Sequence, residues 1–578
     1  MKEHPIKTVV LSSLCKVFPE IEPLENDKLH FSCMQNEPLS FQVAYKLFSE
    51  NAVTMPFYIK LETDLPISVY DEGFVPVLQT DDPPLNDRYR PGLFPDILMP
   101  KAVNSKLTVG CNPWSKVHFD GDDIQLHSVR DSWKAMWLTV NEDGKSVEPG
   151  EHNIHIMLYS RSSSQLVGEC SITADIIGAE LPKQRLIYTN WFHCDCLCDT
   201  YGVEMFSERF WEIFRSFAST AAKNGMNMIL TPCFTPPLDT PIGGERMTAQ
   251  LVGVEVVNKQ YKFDFSLLGR YIDESLKCGI KYFEHSHLFT QWGAEHTPKI
   301  MATVNGKYKR IFGWETTAWG KKYREFLHAY IPALLEFLKS RKIDKKFLFH
   351  ISDEPFPKMK ESYCKSKAAV GDLLDGYMCG DALSHYEFYE DGTVKTPIVA
   401  TDNIHEFYGR CDNLWAYYTG MQCSGGLSNR KLNCSMARNR MLGIHMYTYN
   451  IKGFLHWGYN FYYDMLSYGL FDPKTEPCNF NGAGGGTSYF VYPALNGTAL
   501  QSIRQKVFYE AINDMRALQL SEKLIGRKAT TELIEKHYGK VTFSTDSGGE
   551  DKLLRFREEL NKTISSALKT RQSRETLR

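Results

Sequence analysis

Three observations predict a mixed α/β plus all-β architecture. Hydrophobic residues alternate with period two over the first 180 positions, eight short apolar runs separated by helical periodicity follow from 181, and acids and aromatics concentrate at the ends of those runs. Alternation with regularly spaced turns is the pattern of an antiparallel β-sandwich, and alternating strand and helix signals are that of a (β/α)8 TIM barrel. The expected boundaries are 1–180 for an amino-terminal β-sandwich domain, 181–520 for the barrel and 521–578 for a charged, helical, frayed tail.

In the first unit the alternation runs through Phe41, Val43, Tyr45 and Leu47, through Trp133, Ala135, Trp137 and Thr139, and through Ile154, Ile156 and Leu158. Turn signals such as Glu148-Pro149-Gly150 separate these runs. The stretches Asp81–Pro84 and Tyr89–Asp96 carry prolines too closely spaced for a strand and are expected to pack against the next domain, with an ordinary long loop as the alternative.

The barrel strands are expected at 186–193, 226–232, 280–288, 347–351, 376–382, 397–401, 414–419 and 453–457, with helices at 208–224, 267–278, 319–341 and 361–374. In the third of these helices Tyr323, Phe326, Leu327, Tyr330, Leu334 and Leu338 recur at three- and four-residue steps, which gives one apolar face to cover a sheet. Cys233–Gly243 holds too many prolines for a helix or a central strand and is expected as a rim insertion. A helix is expected from 500 to 520.

A chain of 578 residues has ample material for a large core. Lys plus Arg number 66 against 69 Asp plus Glu, a balance that provides no electrostatic case for a nucleic acid or an anionic membrane. Residues 1–20 lack the apolar core of an export signal, and no apolar run reaches 18 residues. The expectation is a cytoplasmic chain without membrane insertion, its 15 cysteines reduced.

The residues bearing chemistry sit where the strands end. Phe347–Ile351 runs directly into Asp353-Glu354-Pro355, and in a parallel barrel the carboxyl ends of the strands line the active site. The other ends supply His193 and Asp195, His287 with Trp292, Trp415 and Tyr417, and Trp457 with Asn460. Polar groups interleaved with flat rings suit a sugar, which offers hydroxyls to bond and an apolar face to stack on. These eight are the candidate substrate contacts, with Asp353 and Glu354 the candidate catalytic pair. Trp457 and Tyr459, two apart, are expected to face the same way, with Trp457 as the platform under the ring.

No metal site is expected: His193-Cys194-Asp195-Cys196-Leu197-Cys198 has ligand-type residues but no second cluster to complete a zinc shell. Gly482–Ser488 lacks the Gly-Lys-Ser/Thr ending of a phosphate loop and is expected as a flexible rim loop. No organic cofactor is implied.

A retaining glycosidase ordinarily needs two carboxylates about 5 Å apart across the scissile bond. The late strand ends offer Trp, Tyr, His and Asn but no acid, and Asp464 lies several residues beyond. Adjacent acids on one strand suit the substrate-assisted variant, in which a 2-acetamido group is the nucleophile. A conventional enzyme with Asp464 or Glu284 as nucleophile and a non-catalytic carbohydrate-binding protein are the alternatives.

Ile351–Pro355, Thr189–Asp195, Asn413–Tyr418, Ser428-Asn429-Arg430 and Gly453–Asn460 together resemble glycoside hydrolase family 123. The resemblance spans roughly residues 85–520. It implies a β-N-acetylgalactosaminidase retaining by substrate assistance, with Asp353 orienting the acetamido group and Glu354 serving as general acid, then base, and the expected reaction is exo-hydrolysis of terminal β-linked N-acetylgalactosamine.

Overall fold

The computed structural model describes residues 4–25, 31–48, 52–78, 91–101, 124–480 and 484–576. Eight parallel strands close into a barrel: Ile187–Asn190, Met228–Thr231, Tyr282–His285, Phe347–Phe349, Met378–Leu383, Thr396–Ala400, Trp415–Tyr417 and Gly453–His456. Each falls within or against one of the eight apolar runs, because a strand covered on both faces has no polar side to show. The ring closes where the first strand pairs with the eighth, Ile187 with Gly453 through Asn190 with His456. Gly453 makes room for the interior. A Cβ there would lie 2.0 Å from the Trp415 ring.

Helices Glu208–Lys223, Ser266–Lys277, Lys321–Ser340, Lys360–Val370, Met436–Thr448 and Ile503–Ile525 surround the ring. In Lys321–Ser340 the expected stripe is fully buried. The helical layer thins between the sixth and seventh strands, where the named helical element is one 3-10 turn, Ile404–Glu406. Insertions after the second and third strands build a four-stranded rim sheet, Gln260–Asp264, Gly253–Val257, Ile300–Val304 and Lys307–Phe312.

Two further sheets form the amino-terminal part. One orders Ile6–Ser12, Leu39–Leu47, Lys134–Val140, Ile67–Val77, Gly92–Pro100, Ala499–Ser502 and Tyr492–Pro493; the other orders Phe31–Met34, Leu166–Ile177, Gly150–Ser160, Thr54–Glu62 and Ile124–Val129. Phe41, Val43, Tyr45 and Leu47 from the first meet Ile154, Ile156 and Leu158 from the second in one core.

The structure departs from expectation in three places. Residues 92–100 form a strand despite Pro95 and Pro100. The register against Ile67–Val77 shifts between Gly73 and Phe74, and this irregularity absorbs Pro95 and leaves Asp96 as the extra residue. Asp96 then accepts from Arg504 Nε at 3.0 Å and from the Tyr492 hydroxyl at 2.6 Å. Asp81–Pro84 and Tyr89–Arg90 lie outside the described residues.

Second, Ala499–Ser502 is a strand of the amino-terminal sheet, not the start of a helix, and pairs with Ile97 and Leu98. Third, the carboxyl-terminal segment is helical but docked, not frayed. In Glu550–Thr576, Leu553, Phe556, Leu560 and Ile564 form a buried stripe, and Arg557 bonds Glu37 at 2.7 Å and Asp514 at 2.5 Å. High overall charge concealed this stripe in the sequence.

Candidate active site

The fourth barrel strand ends at Phe349, and residues 351–354 beyond it are held by the neighbouring third and fifth strands and their loops. The Ile351 amide donates to Asp381 Oδ1 at 3.0 Å, the Ser352 hydroxyl to Thr290 O at 2.7 Å, and the Trp292 amide to Asp353 O at 3.1 Å. The Glu354 amide donates to Ala382 O at 3.1 Å, and Glu354 itself has φ of 42°, in the left-handed region. This unfavourable conformation turns two consecutive carboxylates into one cavity of about 220 Å3.

Asp353 and Glu354 occupy different surroundings. Among the described residues no side-chain or backbone donor reaches the Asp353 carboxylate. Burial holds its pKa well above the usual carboxylate range, the charge of Glu354 adds to this, and the nearby His350 opposes it. Glu354 Oε1 accepts the Tyr417 hydroxyl at 2.5 Å. Its pKa is raised by burial, with Tyr417 pulling the other way and Asp402 adding to the rise.

Beneath the pair lies a closed ionic network. His350 Nε2 contacts Glu284 Oε1 at 2.7 Å and Nδ1 contacts Asp381 Oδ1 at 3.2 Å. Burial disfavours the imidazolium, but the hydrogen bonds to Asp381 and Glu284 and their charges outweigh it and hold the His350 pKa at about 10. Glu284 also accepts from the Thr189 hydroxyl at 2.7 Å and from Trp191 Nε1 at 2.6 Å.

Of the candidate contacts, His193, Trp292, Tyr417 and Trp457 line the cavity with the two acids. His193 is a neutral ring: Arg246 donates to Nδ1 at 3.1 Å, Nε2 faces Trp457 O at 3.0 Å, and burial with the Arg246 charge lowers its pKa to about 3. Asp195, His287, Trp415 and Asn460 stand behind the wall. Asp195 takes two hydrogen bonds from Arg246, at 2.7 and 2.8 Å. Asn460 brackets the His193 backbone, accepting from its amide at 2.9 Å and donating to its carbonyl at 3.0 Å. His287 stacks on His350 with centroids 4.5 Å apart, and Trp415 fills the barrel interior.

Two readings of orientation change. The eighth strand ends at His456, so alternation does not extend to Tyr459, which is buried and donates to Phe217 O at 2.9 Å while Trp457 faces the cavity. Cys194–Tyr201 is a helix rather than a strand end, and its thiols are buried. Among the described residues no group of three or more His, Cys, Asp or Glu is placed to hold a metal ion. The described part of the glycine run, Gly484–Gly486, wraps the buried Arg504, whose Nη1 donates to Gly486 O at 2.5 Å.

Sequence reasoning missed Asp239 and Gln291, which also line the cavity, and Met421, Met465, Phe480 and Thr487 around it. All come from loops or, for Met465, a short 3-10 turn, where no periodicity marks an inward-facing position. A larger cavity of about 400 Å3 lies between the amino-terminal sheets and the Glu550–Thr576 helix, but its buried acids Glu37 and Glu510 are already paired with Arg557 and Arg440.

The catalytic-domain model of glycoside hydrolase family 123 matches residues 191–521, more than half of the chain. The chain belongs to glycoside hydrolase family 123. Among solved structures, a family 123 glycoside hydrolase from Clostridium perfringens, described for glycolipid glycan hydrolysis, superposes with a TM-score of 0.70 at 11% identity, covering 99% of this chain and 100% of that one. The shared fold therefore extends across both sheets and the barrel of this family 123 chain. Bacteroides uniformis β-glucuronidase 2 (TM-score 0.29, 10% identity, 86% of this chain and 49% of that one) and a Ruminococcus gnavus β-glucuronidase (0.31, 10%, 82% and 66%) match too weakly to bear on it. No curated protein matches. As a family 123 member the chain is a glycoside hydrolase, its substrate a carbohydrate, and among its described residues no helix is long and apolar enough to cross a membrane.

Proposed function

We propose that this glycoside hydrolase is an exo-acting, retaining β-N-acetylgalactosaminidase in which the 2-acetamido group of the substrate is the nucleophile. The observation that carries the reading is the Asp353 carboxylate, which faces the cavity with no donor among the described residues. An acetamido N–H is the donor it lacks. So held, the acetamido oxygen attacks the anomeric carbon, the bond to the leaving oxygen breaks, and Asp353, whose ionised form the His350 charge beneath it favours, stabilises the positive charge of the oxazolinium ring. Glu354, whose pKa burial raises, gives its proton to the leaving oxygen, then takes one from the water that opens the ring.

Trp457 is the platform for the apolar face of the sugar, with His193, Trp292 and Tyr417 as further contacts. The surroundings of the two alternative nucleophiles favour this assignment. Glu284 is fully buried and engaged by Thr189, Trp191 and His350, and Asp464 accepts from the Gly469 amide at 2.8 Å outside the cavity lining. We further take the barrel as the TIM type and the paired sheets as an amino-terminal β-sandwich spanning 1–180, with 521–578 an appended helical unit.

One observation favours a second reading, a conventional double displacement: Asp239 puts a third carboxylate on the cavity wall. Side-by-side hydrolysis of aryl β-N-acetylgalactosaminide, β-N-acetylglucosaminide and plain β-galactoside tests both. Substrate assistance with galacto preference requires cleavage of the first, slower cleavage of the second and none of the third. A covalent sugar trapped on Asp239 by a 2-fluoro glycoside would establish the second reading.

A further inference from the structure

The fold consumes most buried carboxylates near the barrel mouth. Asp195 is held by Arg246, Asp381 by His350 and the Ile351 amide, and Glu284 by three donors. Asp239 is treated differently. Its side chain lies on the cavity wall, beside the Leu466 amide, and its buried Oδ2 has no hydrogen-bond partner among the described residues. An unpaired carboxylate oxygen at a buried position is costly unless a ligand uses the group.

Its backbone, by contrast, is fixed from two sides. The Asp239 amide donates to Gln291 Oε1 at 2.7 Å, and its carbonyl accepts from the Ser467 hydroxyl at 2.7 Å. The brace continues to the catalytic pair, since Gln291 adjoins Trp292, whose amide bonds Asp353 O at 3.1 Å. Asp239 has φ of 47°, again the left-handed region. A strained residue, cross-braced from the loops after the third and eighth strands and tied to the acid pair, is held at a set position relative to the reacting atoms.

We infer that Asp239 is a substrate-binding residue that accepts hydrogen bonds from hydroxyl groups of the bound sugar and thereby selects among hydroxyl patterns. The inference rests on the reading of this cavity as an N-acetylgalactosamine site. An ionised carboxylate only accepts hydrogen bonds, which suits hydroxyls as donors. The charged groups acting on Asp239 are Arg246, which favours ionisation, and Asp464, which opposes it. With burial as the larger effect, its pKa comes to about 6, so it is ionised at neutral pH.

The test is calorimetric binding of N-acetylgalactosamine and its 3-, 4- and 6-deoxy analogues to the full-length wild type, Asp239→Ala and Asp239→Asn, with melting temperature as the folding control. Hydrogen bonds to charged groups contribute about 1.5–3 kcal/mol, so the wild type should bind one or two of the deoxy sugars about 10- to 100-fold more weakly than the parent. In Asp239→Ala the parent should weaken by a similar factor and the penalty for those deoxy sugars should vanish, with Asp239→Asn intermediate. If Asp239→Ala does not fold, Asp239→Asn decides by the same comparison. Deoxy penalties that persist unchanged in the variant, whatever its overall affinity, would overturn the role of Asp239 alone. A wild type that binds none of these sugars and cleaves no N-acetylgalactosaminide would overturn the reading of the cavity as well.

Discussion

Replacing Glu354 with glutamine removes a transferable proton and leaves the cavity otherwise unchanged. The Tyr417 hydroxyl donates to Glu354 Oε1 at 2.5 Å, and a glutamine presents an oxygen at the same place. Binding of the sugar product should therefore persist. Burial already disfavours the charged form of Glu354, so a neutral amide should not lower the melting temperature. What disappears is general acid–base catalysis, about 10² to 10⁴ in rate, or roughly 2.7 to 5.4 kcal/mol of transition-state stabilisation. The loss should depend on the leaving group. An activated aryl glycoside departs without a proton and should lose least in the glycosyl-transfer step, whereas a glycoside with an alkyl aglycone should lose the full factor. The assay is kcat/KM on both substrates, wild type against variant. An equal loss on both would refute Glu354 as the acid.

Other outcomes follow from the same geometry. Tyr417→Phe removes the hydrogen bond that favours ionised Glu354, so the basic limb of the kcat/KM profile should move to higher pH; an unmoved limb would detach Tyr417 from the proton transfer. Gly443→Ala places a Cβ 2.0 Å from the Ala511 carbonyl oxygen where helices Met436–Thr448 and Ile503–Ile525 touch. The cost should reach or exceed the top of the roughly 1–3 kcal/mol range for overpacking, read as a fall in denaturation midpoint. His350 carries a raised pKa, so its contribution to stability is present in full below its unfolded value near 6.5 and is lost as pH rises through about 10. Stability to urea should accordingly fall between those limits, and a stability rising across that interval would contradict a protonated His350.

The eight barrel strands were legible because each is a short apolar run with no helical repeat, and burial on both faces leaves no other reading. Asp353 and Glu354 were legible for a related reason: an acid pair is conspicuous directly after Phe347–Ile351. The sequence is less legible where the chain leaves the strands. Asp195 looked like a wall residue only if residues 193–198 continued as a strand, and they wind into a helix that turns it toward Arg246, 51 positions later. Tyr459 failed in the same way beyond the end of the eighth strand. Asp239 and Gln291 carry no local mark of inwardness, since the Gln291 side chain and Ser467 that orient this wall come from distant parts of the sequence. The stripe of Leu553, Phe556, Leu560 and Ile564 had helical spacing but was diluted by surrounding charge.

The short strand Ala499–Ser502 has a consequence for how the protein is made. It covers Ile97 and Leu98 at an edge of the amino-terminal sheet, about 400 residues after they leave the ribosome. Until the barrel has been synthesised that edge has open hydrogen-bonding groups, and Asp96 lacks the Arg504 that neutralises it. An isolated fragment ending near residue 180 should therefore aggregate more readily than the whole chain. Such late, long-range closure should also make refolding slow, with the amino-terminal sheet reaching its final form only after the barrel helices have docked.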